Sequence, residues 1–321
     1  MAIQNFGAQL KKIRRKRNLS FRHLLSVENL SLQDLTLLFE CAQIFQKILA
    51  SSAKKIDLLK GQSLINFVNE NSTRTRPSFE MAGKHLGLDV VNVVGSASSL
   101  QKGETLNDTG RTLDALAANL IVIRDQHAGV PYQISQLVQA KIINGGDGWH
   151  EHPTQALLEA FTLWEKFQFR KLTYLFVGDA LHSRVFGSQV RLYKKLGYTI
   201  RLVAPFTLVP KKVENFGVQV FPEFSTECLQ GVDALHAIRL QTERAAGKFI
   251  ATPREYSKNY CLNLARVGLA KKTAVILHAG PVIRDFDIRT EVLESPNCLV
   301  QKMVTNGLAV RMALLWLMAN D

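Results

Sequence analysis

The apolar positions of this chain fall into short continuous runs separated by stretches with helical spacing. Ser63-Leu64-Ile65-Asn66-Phe67-Val68 is one such run, and others occupy 88–94, 120–124, 141–144, 172–178, 199–203, 218–221, 234–238 and 274–277. Runs of this length, bounded by glycine, proline or polar residues, predict buried strands. Between them the period changes. Ser31 with Asp34 makes a capping-box-like start, after which Leu35, Leu38, Phe39, Ala42, Phe45 and Leu49 share one helical face. Residues 73–86 read as a helix stopped by Gly87, and 105–118 return to helical spacing. Pro131 and Pro153 each open a helix, Gly197 closes one over 184–196, and the last, 306–318, is apolar on most sides. Strands alternating with helices predict parallel sheets covered on both faces. Two such series predict two doubly wound, Rossmann-like α/β domains, hinged near 153–167, with a ligand cleft between them. The predicted parts are a basic tail over 1–18, a first domain of 19–153 plus 303–321, and a second of 154–302.

Open α/β sheets bind ligands beyond the carboxyl ends of their strands. Ser72, Thr73, Arg74, Arg124, His152, Arg184, Arg239 and His278 all stand at predicted strand ends. Among them, the stretch Glu70-Asn71-Ser72-Thr73-Arg74-Thr75-Arg76-Pro77 lies where a strand hands over to a helix. Unpaired N–H groups at a helix start favour an anion, hydroxyls add donors, and a guanidinium matches phosphate geometry.

Composition narrows the classes. The 321 residues are 46% hydrophobic and 21% charged, which suits a globular protein with room for two domains. No apolar run approaches the ~20 residues that span a bilayer. Cys41, Cys228, Cys261 and Cys298 lie far apart with no C-x-x-C pair. They read as reduced, mostly buried thiols of a cytoplasmic protein. The net charge of +13 is partly local, because Lys11, Lys12, Arg14, Arg15, Lys16 and Arg17 crowd one short stretch. That tail reads as disordered or as a short basic arm, with an arginine-rich transit peptide as the alternative. Nucleic-acid binding needs exposed base-stacking aromatics or a reading helix, and the basic residues concentrate instead in the tail and the strand ends.

The candidate site has several arginines, a histidine and hydroxyls, but no G-x-S-x-G, no partnered nucleophilic cysteine and no metal cluster. His150 and His152 have metal-ligand spacing, yet Pro153-Thr154-Gln155 supplies no third ligand. Cations without nucleophile or metal suit group transfer between polyanions by positioning and charge stabilisation.

Five motifs stand together in order: Ser-Thr-Arg-Thr-Arg at 72–76, Lys-Gly-Glu-Thr at 102–105, His-Pro-Thr-Gln at 152–155, His-Ser-Arg-Val at 182–185 and Arg-x-Gln-x-Glu-Arg at 239–244. Over roughly 20–320 the chain resembles aspartate carbamoyltransferase catalytic chains. The resemblance implies transfer of the carbamoyl group of carbamoyl phosphate to L-aspartate, an early step of pyrimidine biosynthesis, without cofactor or metal. It implies that Ser72, Thr73, Arg74 and Thr75 hold the phosphate, and that Thr75, Arg124 and His152 polarise the carbamoyl oxygen. Gln155 would contact the carbamoyl nitrogen with backbone at Gly280 and Pro281. Arg184, Arg239 and Gln241 would hold aspartate. Ser98 and Lys102 would enter from the adjacent subunit of a homotrimer, Lys102 also serving the aspartate site. Glu70 would bridge to Arg184 and Arg244 on closure. Regulatory or dihydroorotase chains are possible further partners.

Two positions depart from the pattern. Asp125 replaces the usual histidine after Arg124, where a carboxylate is expected to pair with that arginine and repel phosphate. Ala279 replaces the first proline of H-P-G-P. The alternatives are an ornithine-type carbamoyltransferase, which would carry an H-C-L-P-like loop and a D-x-x-x-S-M-G stretch, and an inactive assembly paralogue. His278-Ala279-Gly280-Pro281 and Arg239-Leu240-Gln241 stand in those two places.

Overall fold

The computed structural model describes residues 2–14, 17–52, 54–70, 72–94, 103–241, 250 and 252–320, with side chains from residue 6 onward. Two compact units emerge, Met1–Phe161 with Val304–Asp321, and Thr162–Met303.

The first unit contains α1 (Ala2–Arg14), α2 (Leu32–Ala50), β1 (Ser63–Val68), α3 (Thr75–Leu86), β2 (Asp89–Val94), α4 (Leu106–Ala115), β3 (Leu120–Asp125), α5 (Val130–Ser135), β4 (Lys141–Asp147) and the start of α6 (Pro153–Phe167). Its four strands form one parallel sheet in the order β2-β1-β3-β4. Five of the six β1 residues are buried, whereas the edge strand β2 leaves Asp89, Val91 and Asn92 exposed. Central parallel strands are covered on both faces and therefore read as unbroken apolar runs. Ile65, Phe67, Ile121, Ile123 and Ile142 meet Leu113 of α4 and Ile134 of α5 in the core.

Helix ends follow the local chemistry. Ser31 and Asp34 close a reciprocal capping box on α2. Gly87 ends α3 at φ +84°, and a Cβ there would meet the Asp57 backbone at 3.0 Å. The basic N-terminal stretch differs from its sequence reading, because Ala2–Arg14 forms helix α1, packed on α2. Phe6, Leu10 and Ile13 make a narrow apolar stripe at helical spacing, and Leu10 is fully buried.

The second unit contains β5 (Thr173–Gly178), α7 (Arg184–Lys195), β6 (Thr199–Val203), β7 (Val218–Phe221), α8 (Thr226–Leu229), β8 (Ala234–Ile238), α9 (Pro253–Tyr260), α10 (Leu264–Gly268), β9 (Val275–Leu277), α11 (Thr290–Leu293) and the first residues of α12 (Val300–Asn320). Its five parallel strands run in the order β7-β6-β5-β8-β9. Leu175, Val177, Val203, Leu235, Ala237 and Ile276 form the core with Leu262, Ile288 and Val292. In both sheets the strand order reverses beside the first strand, between β1 and β3 and between β5 and β8. Crevices open at the carboxyl ends of such switch points.

Most of α12 belongs to the first unit, and it is buried from Ala309 to Met318. Asn306 accepts a hydrogen bond from Gln46 of α2 at 2.6 Å, and Trp316 meets Phe45 edge-on. Among the described residues, no helix is long and apolar enough to cross a membrane.

Candidate active site

The turn after β1 delivers Ser72, Thr73 and Arg74 to the start of α3. Ser72 Oγ accepts the Arg76 N–H at 3.2 Å, so this hydroxyl satisfies one N–H of the first turn and keeps its own proton available to donate. Thr73 and Arg74 are exposed, and Thr75 is buried. The hydroxyl of Thr75 is the meeting point of three strand ends. Arg124, on β3, donates from Nη1 to Thr75 Oγ1 at 3.0 Å and to the Gly145 carbonyl of β4 at 3.4 Å. His152, just beyond β4, brings Nε2 within 3.3 Å of the same hydroxyl. Neighbouring strands stand ~4.8 Å apart, so the segments leaving the carboxyl ends of β1 and β4 bring Thr75 and His152 to Arg124 at the end of β3 without any long reach.

Carboxylates behind this cluster hold it in place. Asp147 accepts from the Gly129 N–H at 2.8 Å and from Asn144 Nδ2 at 2.8 Å, and His150 Nδ1 lies 3.1 Å away. Burial alone would push the Asp147 carboxyl up, but the bonds from His150, Gly129 and Asn144 outweigh it and hold the group below its ordinary value. Glu151 accepts from the Ser26 hydroxyl and the Val27 N–H. The loop before His152 is therefore fastened at two buried acids, neither of which the sequence reading singled out. Their sequence signal is a pair of acids flanking Gly-Trp-His between a strand end and a helix-opening proline. His150 faces Asp147 and His152 faces Thr75, and among the described residues no metal-binding group of three exists.

Asp125 behaves otherwise than its position beside Arg124 suggested. Its carboxylate accepts from Asn69 Nδ2 at 2.8 Å and from the His127 N–H at 2.7 Å, with His127 Nδ1 at 2.9 Å. Successive strand residues point to opposite faces, so the acid ties down a loop while Arg124 turns to Thr75. The acid that meets Arg124 is Glu70, whose Oε1 lies 2.7 Å from Nε in a close charge contact rather than an aligned hydrogen bond. Gln155 donates to the fully buried Glu159 at 2.8 Å.

A further cation lies beneath α3. Arg311 of α12 is buried, donates to Ser78 Oγ at 3.0 Å and the Gly307 carbonyl at 3.2 Å, and stacks over the Phe79 ring. Burial pushes its pKa down to about 10, which leaves it charged at neutral pH. Ser78 belongs to the first turn of α3, so this charge adds to the helix dipole near Ser72–Thr75.

In the second unit, Gly178 ends β5 at φ +118°. A Cβ there would run into the Ile238 carbonyl and come within 2.7 Å of the Tyr256 hydroxyl, so only glycine lets the β5 and β8 ends approach this closely. Next comes Asp179, fully buried, which accepts from the Gln241 N–H at 3.1 Å and the His182 N–H at 3.2 Å. His182 Nδ1 lies 2.9 Å from the same carboxylate. Asp179 thus joins the turn carrying Arg184 to the segment carrying Arg239 and Gln241. The Gly178-Asp179 pair at the end of an apolar run is its legible sign. Ser183 caps α7, which puts the buried Arg184 at the first helical position. Gly280 and Pro281 follow β9. Ser98, Lys102 and Arg244 lie outside the described residues.

Known proteins resemble this chain along nearly all its length. Residues 22–165 match the family model "Aspartate/ornithine carbamoyltransferase, carbamoyl-P binding domain", and residues 170–318 match "Aspartate/ornithine carbamoyltransferase, Asp/Orn binding domain". The aspartate carbamoyltransferase catalytic subunit of Moorella thermoacetica is 41% identical over 92% of this chain and 97% of its own. That of Ruegeria pomeroyi is 43% identical over 94% of this chain and 97% of its own. Aspartate transcarbamoylase from Trypanosoma cruzi, solved with carbamoyl aspartate and phosphate, superposes with TM-score 0.81 at 30% identity, covering 92% of this chain and 94% of that one. Ornithine carbamoyltransferase from Pyrococcus furiosus shares the fold, with TM-score 0.81 at 24% identity, covering 92% of this chain and 96% of that one. With both halves matched in order and relatives aligned nearly end to end, the chain belongs to the aspartate/ornithine carbamoyltransferase family, among the aspartate carbamoyltransferase catalytic subunits.

Proposed function

We propose that this chain transfers the carbamoyl group of carbamoyl phosphate to L-aspartate, giving N-carbamoyl-L-aspartate and phosphate. The carrying observation is the convergence of Arg124 and His152 on the Thr75 hydroxyl, at 3.0 and 3.3 Å, beside the start of α3. Phosphate is held by Ser72, Thr73, Arg74 and Thr75 at the positive end of that helix. The carbamoyl oxygen takes hydrogen bonds from Thr75, Arg124 and His152, which draw electron density from the carbonyl carbon and stabilise the oxyanion that forms there. Gln155 and the backbone at Gly280 and Pro281 contact the carbamoyl group. The aspartate amine forms the new N–C bond, the C–O bond to phosphate breaks, phosphate leaves with the electron pair, and the amine proton goes to it.

Arg184, Arg239 and Gln241 bind the aspartate carboxylates, a pairing that suits a dicarboxylate and disfavours the cationic side chain of ornithine. The trimer, with Ser98 and Lys102 supplied by a neighbour, belongs to the same reading. So do closure through Glu70, Arg184 and Arg244, association with regulatory or dihydroorotase chains, a place in pyrimidine biosynthesis, and a cytoplasmic location. The thiols support the last, since Cys41, Cys228, Cys261 and Cys298 are all free. The test is a product assay with carbamoyl phosphate and either acceptor. Carbamoylaspartate forms and citrulline does not; citrulline from ornithine, with no product from aspartate, would overturn the proposal.

A further inference from the structure

The loop after β9 is fastened by an imidazole whose two nitrogens do different work. His278 follows Leu277 directly and is 2% exposed. Its Nδ1 accepts the Gly280 N–H at 2.8 Å, while Nε2 lies 3.2 Å from Asp287 Oδ2. One tautomer satisfies both contacts, with the proton on Nε2 and a lone pair on Nδ1. The opposite tautomer would set two N–H groups against each other at Gly280. Asp287 is itself buried, and the same Oδ2 accepts the Ile283 N–H at 2.9 Å. The backbone of Asp287 also closes the far side of the loop, with its N–H donating to the Ile283 carbonyl and its carbonyl accepting the Leu262 N–H. A single carboxylate therefore holds His278 in orientation and sets the segment that returns from Pro281. Nothing in the loop between Ala279 and Val282 is buried, so the imidazole is its inner support.

We propose that His278 is a positioning residue for carbamoyl transfer: through the Gly280 N–H it sets the backbone at Gly280 and Pro281, and Asp287 keeps it in the tautomer able to do so. This rests on the function proposed above, which puts that backbone against the carbamoyl group. A shift of ~1 Å in a positioning element costs roughly 10²-fold in rate without touching ground-state anion binding. Ala279 relaxes the loop relative to a proline at the same position, which leaves more of its placement to this bond.

Three variants separate this role from mere packing. In His278→Asn the amide oxygen takes the place of Nδ1 and can accept the Gly280 N–H. His278→Gln reaches toward Asp287 but leaves Gly280 without its acceptor. His278→Leu keeps bulk and loses both. The proposal expects kcat to fall roughly 10²-fold in His278→Leu and His278→Gln, and to recover by at least a factor of ten in His278→Asn. Phosphate affinity, measured by calorimetry, stays at the wild-type value in all three. Nitrogen NMR of the wild-type protein places the proton on Nε2, and Gly280 amide exchange is slow in wild type and His278→Asn but fast in the other two. Equal kcat in His278→Asn and His278→Gln would overturn the proposal, as would a proton on Nδ1. A wild-type protein with the predicted tautomer and no carbamoylaspartate formation would instead overturn the proposed function, and with it any part for His278 in carbamoyl transfer.

Discussion

At the scale of single residues, adjacency in sequence is a poor guide to electrostatic partnership. Asp125 stands next to Arg124, yet its carboxylate serves Asn69 and His127. Replacing it with Asn should therefore leave phosphate affinity unchanged and lower thermal stability, since a buried charged acceptor is lost at a cost of about 1–3 kcal/mol. Calorimetric titration with phosphate and a thermal melt check both halves. Tighter phosphate binding would mean that the acid acts on the site after all. Arg239 poses the opposite case. Its guanidinium has the chemistry to clamp a carboxylate, and its segment is held at Gln241 by Asp179. Arg239→Ala should cost on the order of 2–5 kcal/mol, read mainly in aspartate KM and kcat. Normal aspartate dependence with weakened carbamoyl phosphate binding would reverse the assignment.

Elements matter because each strand contributes its carboxyl end. β1 leads to Thr75, β3 carries Arg124, and β4 leads to His152; the parallel order β2-β1-β3-β4 makes β1 and β3 neighbours, with β4 next. Thr75→Val preserves shape and removes the hydroxyl on which the other two converge. Loss of one oxyanion-type donor typically lowers kcat 10²–10³-fold, and that range is expected for Thr75. Steady-state kinetics with near wild-type folding would test it; a kcat within a factor of three of wild type would exclude a catalytic hydroxyl. The same logic explains why Asp147 and Glu151 escaped the sequence reading. Acids between a strand and a helix look like solvated loop residues until the packing of β4 against the N-terminal segment buries them. The reading of 1–18 as disordered or as a short basic arm missed helix α1 for a related reason. One apolar stripe, Phe6-Leu10-Ile13, is too narrow to stand out among so many cations, and it becomes decisive only once α2 supplies a surface to cover it.

Across the whole molecule, acid should destabilise in two stages. Burial, followed by Arg22 and Lys141, holds His23 below its ordinary 6.5, and burial with Lys54 does the same for His85. Burial would raise Asp34, but the hydrogen bonds from Ser20 and Ser31 outweigh it, and the group lies below its ordinary 3.8, as does Asp147. In every case the folded value is depressed, so the unfolded chain binds more protons in the affected window. Stability is complete above the unfolded values and is lost as pH falls through the folded ones. Denaturant midpoints should drop first below pH 6.5 and again below pH 3.8. A midpoint that rises on acidification would contradict these assignments. The proposed trimer has its own test. Lys102→Ala and Arg74→Ala should each be nearly inactive, but mixing and reassembly should restore roughly a quarter of the sites, which take Arg74 from one chain and Lys102 from its neighbour. Activity no greater than the parents' sum, in trimers shown to be mixed, would put the site within one chain.

The nine strands of the described residues, the parallel α/β class and the residues at the strand ends are legible in the chain itself, because short apolar runs and helical spacing are local properties that survive without the fold. Ordered motifs from Ser72 to Gln241 point to the family in the same way. Which polar group meets which is settled only by the packed molecule. Thr75 joins Arg124 and His152, Glu70 lies against Arg124, and His278 takes the Gly280 N–H. Arg311 of the last helix comes to lie beneath the first turn of α3. Most of these pairings depend on strand order and register, which are set by how distant apolar faces cover one another. In a low-dielectric interior a buried polar group must find its partner there, and no local pattern in the chain encodes which one it finds.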